Sequence, residues 1–199
     1  MNRSVLVAVA VSMLAGTWAL AAQQSATPDG PQFVNGRLVR PTNYREWPFL
    51  GSSVGLTYVP PAGTNAPSFG NVFVNPSSYR AFMQSGKWPD GTMLVLEVRR
   101  SSEEGALIKG GRYQSDLVLL EANVKDSSLP DGWGFFSWGR GNALLDSAPP
   151  APATASVAGE GTCVDCHIKH TAVERTFVQF YPTLLMEVAR RMGTVKAGF

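Results

Sequence analysis

Tyr113-Gln114-Ser115-Asp116-Leu117-Val118-Leu119-Leu120-Glu121-Ala122-Asn123-Val124 is the stretch that decides the fold. Successive side chains of a strand point to opposite faces. Tyr113, Ser115, Leu117, Leu119 and Glu121 therefore share one face, and Val118, Leu120, Ala122 and Val124 share the other. Both faces are apolar, as a strand built into a sheet requires. Working outward, Ser52 to Val59, Gly70 to Asn75, Thr92 to Arg100 and Gly132 to Trp138 are further short runs rich in Val, Leu, Phe, Tyr and Trp, separated by Gly, Pro, Asp and Ser. An antiparallel sheet is the economical arrangement, and the fold class expected is α+β, mainly β.

Two helices are expected beside the sheet. Asn75 reads as a cap, Pro76 takes the first helical position, and Tyr79, Phe82 and Met83 repeat at helical spacing until Gly86 stops them. Near the C-terminus Pro182 can open a helix with apolar residues at Leu184, Leu185, Val188 and Met192, ended by Gly193. The polar run 22–32 reads as a flexible leader. Residues 147–161 form an Ala/Pro-rich stretch expected to be a linker inside one domain spanning 33–199.

The first 21 residues have the form of a cleaved signal peptide. Asn2 and Arg3 precede an apolar run from Val5 to Leu20, and Ala19-Leu20-Ala21 is an A-x-A cleavage signal. The run falls short of the ~20 residues a spanning helix needs. A periplasmic mature chain is expected, with no membrane span. Removing the segment takes away Arg3 and no acid, lowering the formal charge from +2 to +1, and so weak a field points to no nucleic-acid or anionic-membrane partner.

The chain's two cysteines both fall in Cys163-Val164-Asp165-Cys166-His167. C-x-x-C-H is the form by which haem c is attached: two thiols add across the haem vinyl groups and the adjacent imidazole ligates the iron. One haem c, held by Cys163 and Cys166 with His167 on the metal, is the expected cofactor. A disulfide or half of a zinc site is the plainer alternative. Tetrahedral zinc would need two more ligands in a chain with two histidines in all.

His170 lies three residues beyond His167 and can hardly reach the opposite face of the ring. Methionine could instead complete a six-coordinate His/Met electron-transfer haem, from Met83, Met93, Met186 or Met192. The favoured reading is an open iron position that takes a small molecule. Glu121 is the candidate proton-transfer group. It sits either at a solvated strand end or in a salt bridge, or it is buried beside the haem with a raised pKa.

Several further segments, with C-x-x-C-H among them, give the chain its likeness to a known family. They are Arg40-Pro41, Tyr44-Arg45-Glu46-Trp47, Asn71-Val72-Phe73-Val74-Asn75-Pro76, Trp88-Pro89-Asp90-Gly91-Thr92, Leu120 to Asp126, Gly132-Trp133-Gly134-Phe135-Phe136 and Phe177-Val178-Gln179-Phe180-Tyr181-Pro182. In this order the chain resembles the cytochrome P-460 family over about 40–190. The resemblance implies a mainly antiparallel β fold, a homodimer and a five-coordinate haem c. It also implies hydroxylamine oxidation or nitric oxide binding in the periplasm, with a soluble cytochrome as electron partner. It makes Cys163 and Cys166 the attachment residues, His167 the proximal ligand, and Glu121 a distal-pocket carboxylate. It also marks a departure. Where hydroxylamine-oxidising members carry a lysine that cross-links to the porphyrin, this chain has Leu96, sharing a strand face with Leu94 and Val98. That favours ligand binding or weak turnover, and a lysine placed there would meet an apolar row.

Overall fold

The computed structural model of the protein describes residues 29–56, 66–129, 131–152, 156–157 and 161–199. The expected signal peptide, residues 22–28 of the leader, the end of the Ser52–Val59 run and most of 153–160 lie outside the described residues. Among the described residues a small hairpin comes first, β1 (Phe33–Val34) and β2 (Arg37–Val39). Five strands then form one antiparallel sheet in chain order: β3 (Phe49–Val54), β4 (Phe69–Val74), β5 (Met93–Ser102), β6 (Tyr113–Lys125) and β7 (Trp133–Arg140). Two-residue strand β8 (Ser147–Ala148) pairs with β2, and β9 (Ser156–Val157) pairs with β10 (Gly161–Thr162). Among the described residues there are three α-helices, α1 (Pro76–Ser85), α2 (Cys163–His170) and α3 (Leu185–Arg191). The mainly β, α+β class is the one expected.

The two-faced pattern of β6 explains the layering. Leu120, Ala122 and Val124 join Met93 and Val95 of β5 and Phe136 and Trp138 of β7 in one core, closed from outside by Leu38, Tyr44, Trp47 and Ala148. On the other face Leu50, Val74 and Leu94 meet Phe82 of α1, Trp88, Val173, Val178, and Leu185 and Val188 of α3. Apolar burial on both faces, at roughly 25 cal/mol per Å², holds the sheet between its two covers.

Several local readings are corrected. Asn75 does precede α1, but its side chain does not cap it. Its Oδ1 accepts the Met93 N–H at 2.8 Å, tying the helix start to the β5 start. The cap comes from the leader: Asp29 accepts the backbone N–H of Ser77 at 2.7 Å and its hydroxyl at 2.6 Å. That end of the leader is thus anchored rather than loose. Gly86 does stop α1, in the left-handed conformation at φ 69°. In α3 the buried stripe is Leu185, Val188 and Ala189, whereas Leu184 and Met192 are largely exposed. The stretch read as a linker begins with β8, where Ala148 is fully buried.

Candidate functional site

The C-x-x-C-H segment is helical, which composition alone did not show. Thr162 caps α2: its hydroxyl accepts the Asp165 N–H at 3.1 Å, and Asp165 Oδ2 accepts the Thr162 N–H at 2.9 Å. The second variable residue of C-x-x-C-H is therefore half of a capping box. Thr162-x-x-Asp165 was a legible signal for it. In the helix, Cys163, Cys166 and His167 stand three and four residues apart, the spacing that places side chains on one face. Neither cysteine is in a disulfide.

The loop after α2 fixes the imidazole. His167 Nδ1 lies 2.7 Å from the Arg175 carbonyl oxygen. A carbonyl can only accept, so Nδ1 carries the proton and the lone pair of the neutral ring is on Nε2. Burial pushes the His167 pKa down against that hydrogen bond, and the charges of Arg175 and Lys196 push the same way. The ring is held between two aromatic neighbours, Phe135 at 4.6 Å and Phe177 at 4.8 Å between centroids.

Glu121 lies over the same sheet face. Across the strands Val72, Leu96, Glu121 and Ser137 are consecutive register partners. The neighbouring row runs through Leu94, Asn123 and Phe135, the last of which packs on His167. Burial pushes the Glu121 carboxyl up, opposed by a hydrogen bond from Ser137 and the charge of Arg140. The Cys163 thiol is also pushed up, by burial first and then by the Glu121 charge, so this carboxylate is an electrostatic neighbour of the C-x-x-C-H helix. The structure thus gathers Glu121, Leu96, Cys163 and His167 around one half-buried side of the sheet. Met93 is buried in the core under the opposite face, and Met83 and Met186 pack against the core on the helix side.

These residues fit a haem c. Two thiols on the first turns of a helix, with a neutral imidazole beside them whose lone pair is on Nε2, form a donor set for that group. Among the described residues, no cluster of three or more His, Cys, Asp or Glu side chains is placed to hold a bare metal ion.

Sequence reasoning missed the residues that hold the loop. Glu174 takes a positive φ of 49°, and its carboxylate accepts the Trp88 N–H at 3.2 Å and Lys125 Nζ at 2.6 Å. Trp88 Nε1 donates to Thr176 Oγ1 at 2.8 Å. The Trp88-Pro89-Asp90-Gly91-Thr92 segment is thereby the buttress of the His167 loop. Glu97 was also missed. It is 3 % exposed, on the far face of the sheet, and accepts from Arg45 Nε at 2.8 Å, Arg99 Nε at 2.7 Å and the Tyr44 hydroxyl. Burial alone would raise its pKa, but the bonds from Tyr44, Arg45 and Arg99 outweigh burial and hold it low. Tyr44, itself buried and facing that carboxylate, is pushed up to about 12. A lone acid among Met93, Val95 and Glu97 on one strand face was the available signal.

No helix among the described residues is long and apolar enough to cross a membrane. No curated protein matches the chain. Residues 41–178 match the family model described as Cytochrome P460.

Proposed function

Because this chain belongs to the cytochrome P460 family, we propose that it is a periplasmic protein with one haem c and an open iron position for a small nitrogen ligand, hydroxylamine or nitric oxide. Cys163 and Cys166 would hold the group through thioethers, and His167 Nε2 would be its proximal ligand. When bound, the haem supplies an iron that takes the ligand and receives electrons. The observation that carries this reading is the Nδ1 bond to the Arg175 carbonyl, which leaves Nε2 available beside the two thiols.

Glu121 accepts a proton from the bound nitrogen compound. Its partly desolvated carboxyl has the raised pKa that suits such a group. Leu96, directly across from it, is a hydrocarbon and cannot form the ring cross-link that the resemblance assigns to lysine. Nitric oxide binding, or slow hydroxylamine oxidation with electrons leaving to a soluble cytochrome, is therefore the activity we assign. A homodimer in the periplasm, reached through the N-terminal export signal, is part of the same reading.

Cys163→Ala combined with Cys166→Ala should abolish haem staining on a denaturing gel, and retained stain would overturn the attachment. Purified ferrous protein should give a high-spin, five-coordinate spectrum and bind nitric oxide, whereas a low-spin His/Met spectrum would replace this reading with electron transfer. Glu121→Ala should cut any hydroxylamine turnover by roughly 10²–10⁴-fold while leaving nitric oxide binding intact. Fast turnover indifferent to that change would remove Glu121 from the mechanism.

A further inference from the structure

The Arg175 carbonyl that holds His167 has a second donor. Asn123 Nδ2 lies 2.9 Å from the same oxygen, and a carbonyl has two lone pairs to give. Asn123 is 9 % exposed and rooted in β6, opposite Phe135, the ring that packs on His167. Its Oδ1 has no hydrogen-bond partner among the described residues, so the side chain leaves a buried acceptor unsatisfied there while its N–H group faces this carbonyl. A retained deficit of that kind asks for a reason.

Asn123 is not needed to place the carbonyl. Glu174, one residue earlier, is pinned through its carboxylate to Trp88 and Lys125, and its own carbonyl accepts the Thr171 hydroxyl at 3.0 Å. Thr176, one residue later, donates its N–H to Val173 at 2.9 Å. With the peptide held from both sides, Asn123 occupies the oxygen's other lone pair and limits how strongly that oxygen draws on the imidazole N–H. Stronger hydrogen bonding at a ligating histidine raises its basicity toward the metal.

We propose that Asn123 is a positioning residue for the haem iron, which acts through the Arg175 carbonyl to moderate the donor strength of His167. The proposal rests on the reading of His167 as the haem ligand. Asn123→Leu removes the second donor and leaves the peptide's other ties intact. The bond to His167 then tightens, the ferrous iron–histidine stretching frequency rises in resonance Raman, and the reduction equilibrium shifts toward ferric iron by about tenfold, about 59 mV for a one-electron couple. An unchanged or lowered frequency would overturn the proposal.

If Asn123→Leu fails to load haem, the native protein decides. One Asn123 amide proton should be protected from exchange and show a hydrogen-bond scalar coupling to the Arg175 carbonyl carbon. Free exchange of both protons would overturn the proposal. Haem staining scores the underlying reading separately, because a protein without covalent haem fails that reading while the Asn123 coupling is still measured.

Discussion

Glu121 has Leu96 across from it on β5 and Ser137 on β7. Its folded pKa lies above the ordinary 4.5, so the folded state binds the proton more tightly than the unfolded state. This contribution is intact below 4.5 and is lost as the pH rises from there through the folded value. Glu121→Gln should flatten that part of the stability profile in urea denaturation and stabilise the protein above it; an unaltered slope would mean the carboxyl is not buried as described. An unpaired ammonium at 96 would be costly, but the register supplies a carboxylate directly opposite. Leu96→Lys should therefore pull the Glu121 pKa back down, seen as the same flattening with the carboxylate still present. Glu97 behaves in the opposite sense. Held low by Arg45, Arg99 and Tyr44, it stabilises the fold above the ordinary carboxylate range, and that stability fades as the pH falls. Glu97→Gln should cost about 3 kcal/mol near neutral pH, the low end for breaking a buried pair because Arg45 stays half exposed. A shift in urea midpoint under a third of that size would place this network at the solvated surface.

At the scale of elements, what the sequence made legible depended on how local each cause was. Four of the five sheet strands follow from alternation and turn residues close to their own ends and form near their expected limits, whereas β3 begins at Phe49, three residues before the Ser52 expected, and ends at Val54. Helix α1 also stops where expected, because Gly86 itself takes the left-handed turn. A Cβ there would also stand 2.8 Å from Met192 Cβ. Gly86→Ala should cost about 2 kcal/mol from the left-handed conformation and the contact together, read as a lower urea midpoint with unchanged slope. The start of α1 was less legible, since its cap is Asp29, supplied from 48 residues away. For the site, Cys163, Cys166, His167, Glu121 and Leu96 could be picked out from spacing and resemblance. The roles of Asn123, Glu174 and Trp88 could not, because each exists only once β6 and the loop after α2 are folded together. Glu97 reads as an ordinary charge until Tyr44, Arg45 and Arg99 converge on it.

Across the whole molecule, the central sheet separates two cores, and β4, β5 and β6 are the strands with a neighbour on both sides. Their amides should exchange most slowly in hydrogen-exchange mass spectrometry, with edge strand β3 and the β9–β10 hairpin opening sooner. Uniform exchange across the five strands would contradict this layering. The partition has a consequence for anyone reading variation in this chain. On β5 the even positions, Leu94, Leu96 and Val98, belong to the side that carries His167 and Glu121, while the odd positions, Met93, Val95, Glu97 and Arg99, belong to the sealed side. A saturation scan along this ribbon would therefore alternate like a two-channel tape, one channel recording spectral and ligand phenotypes and the other recording abundance. An insertion of a single residue would swap the channels for everything downstream of it.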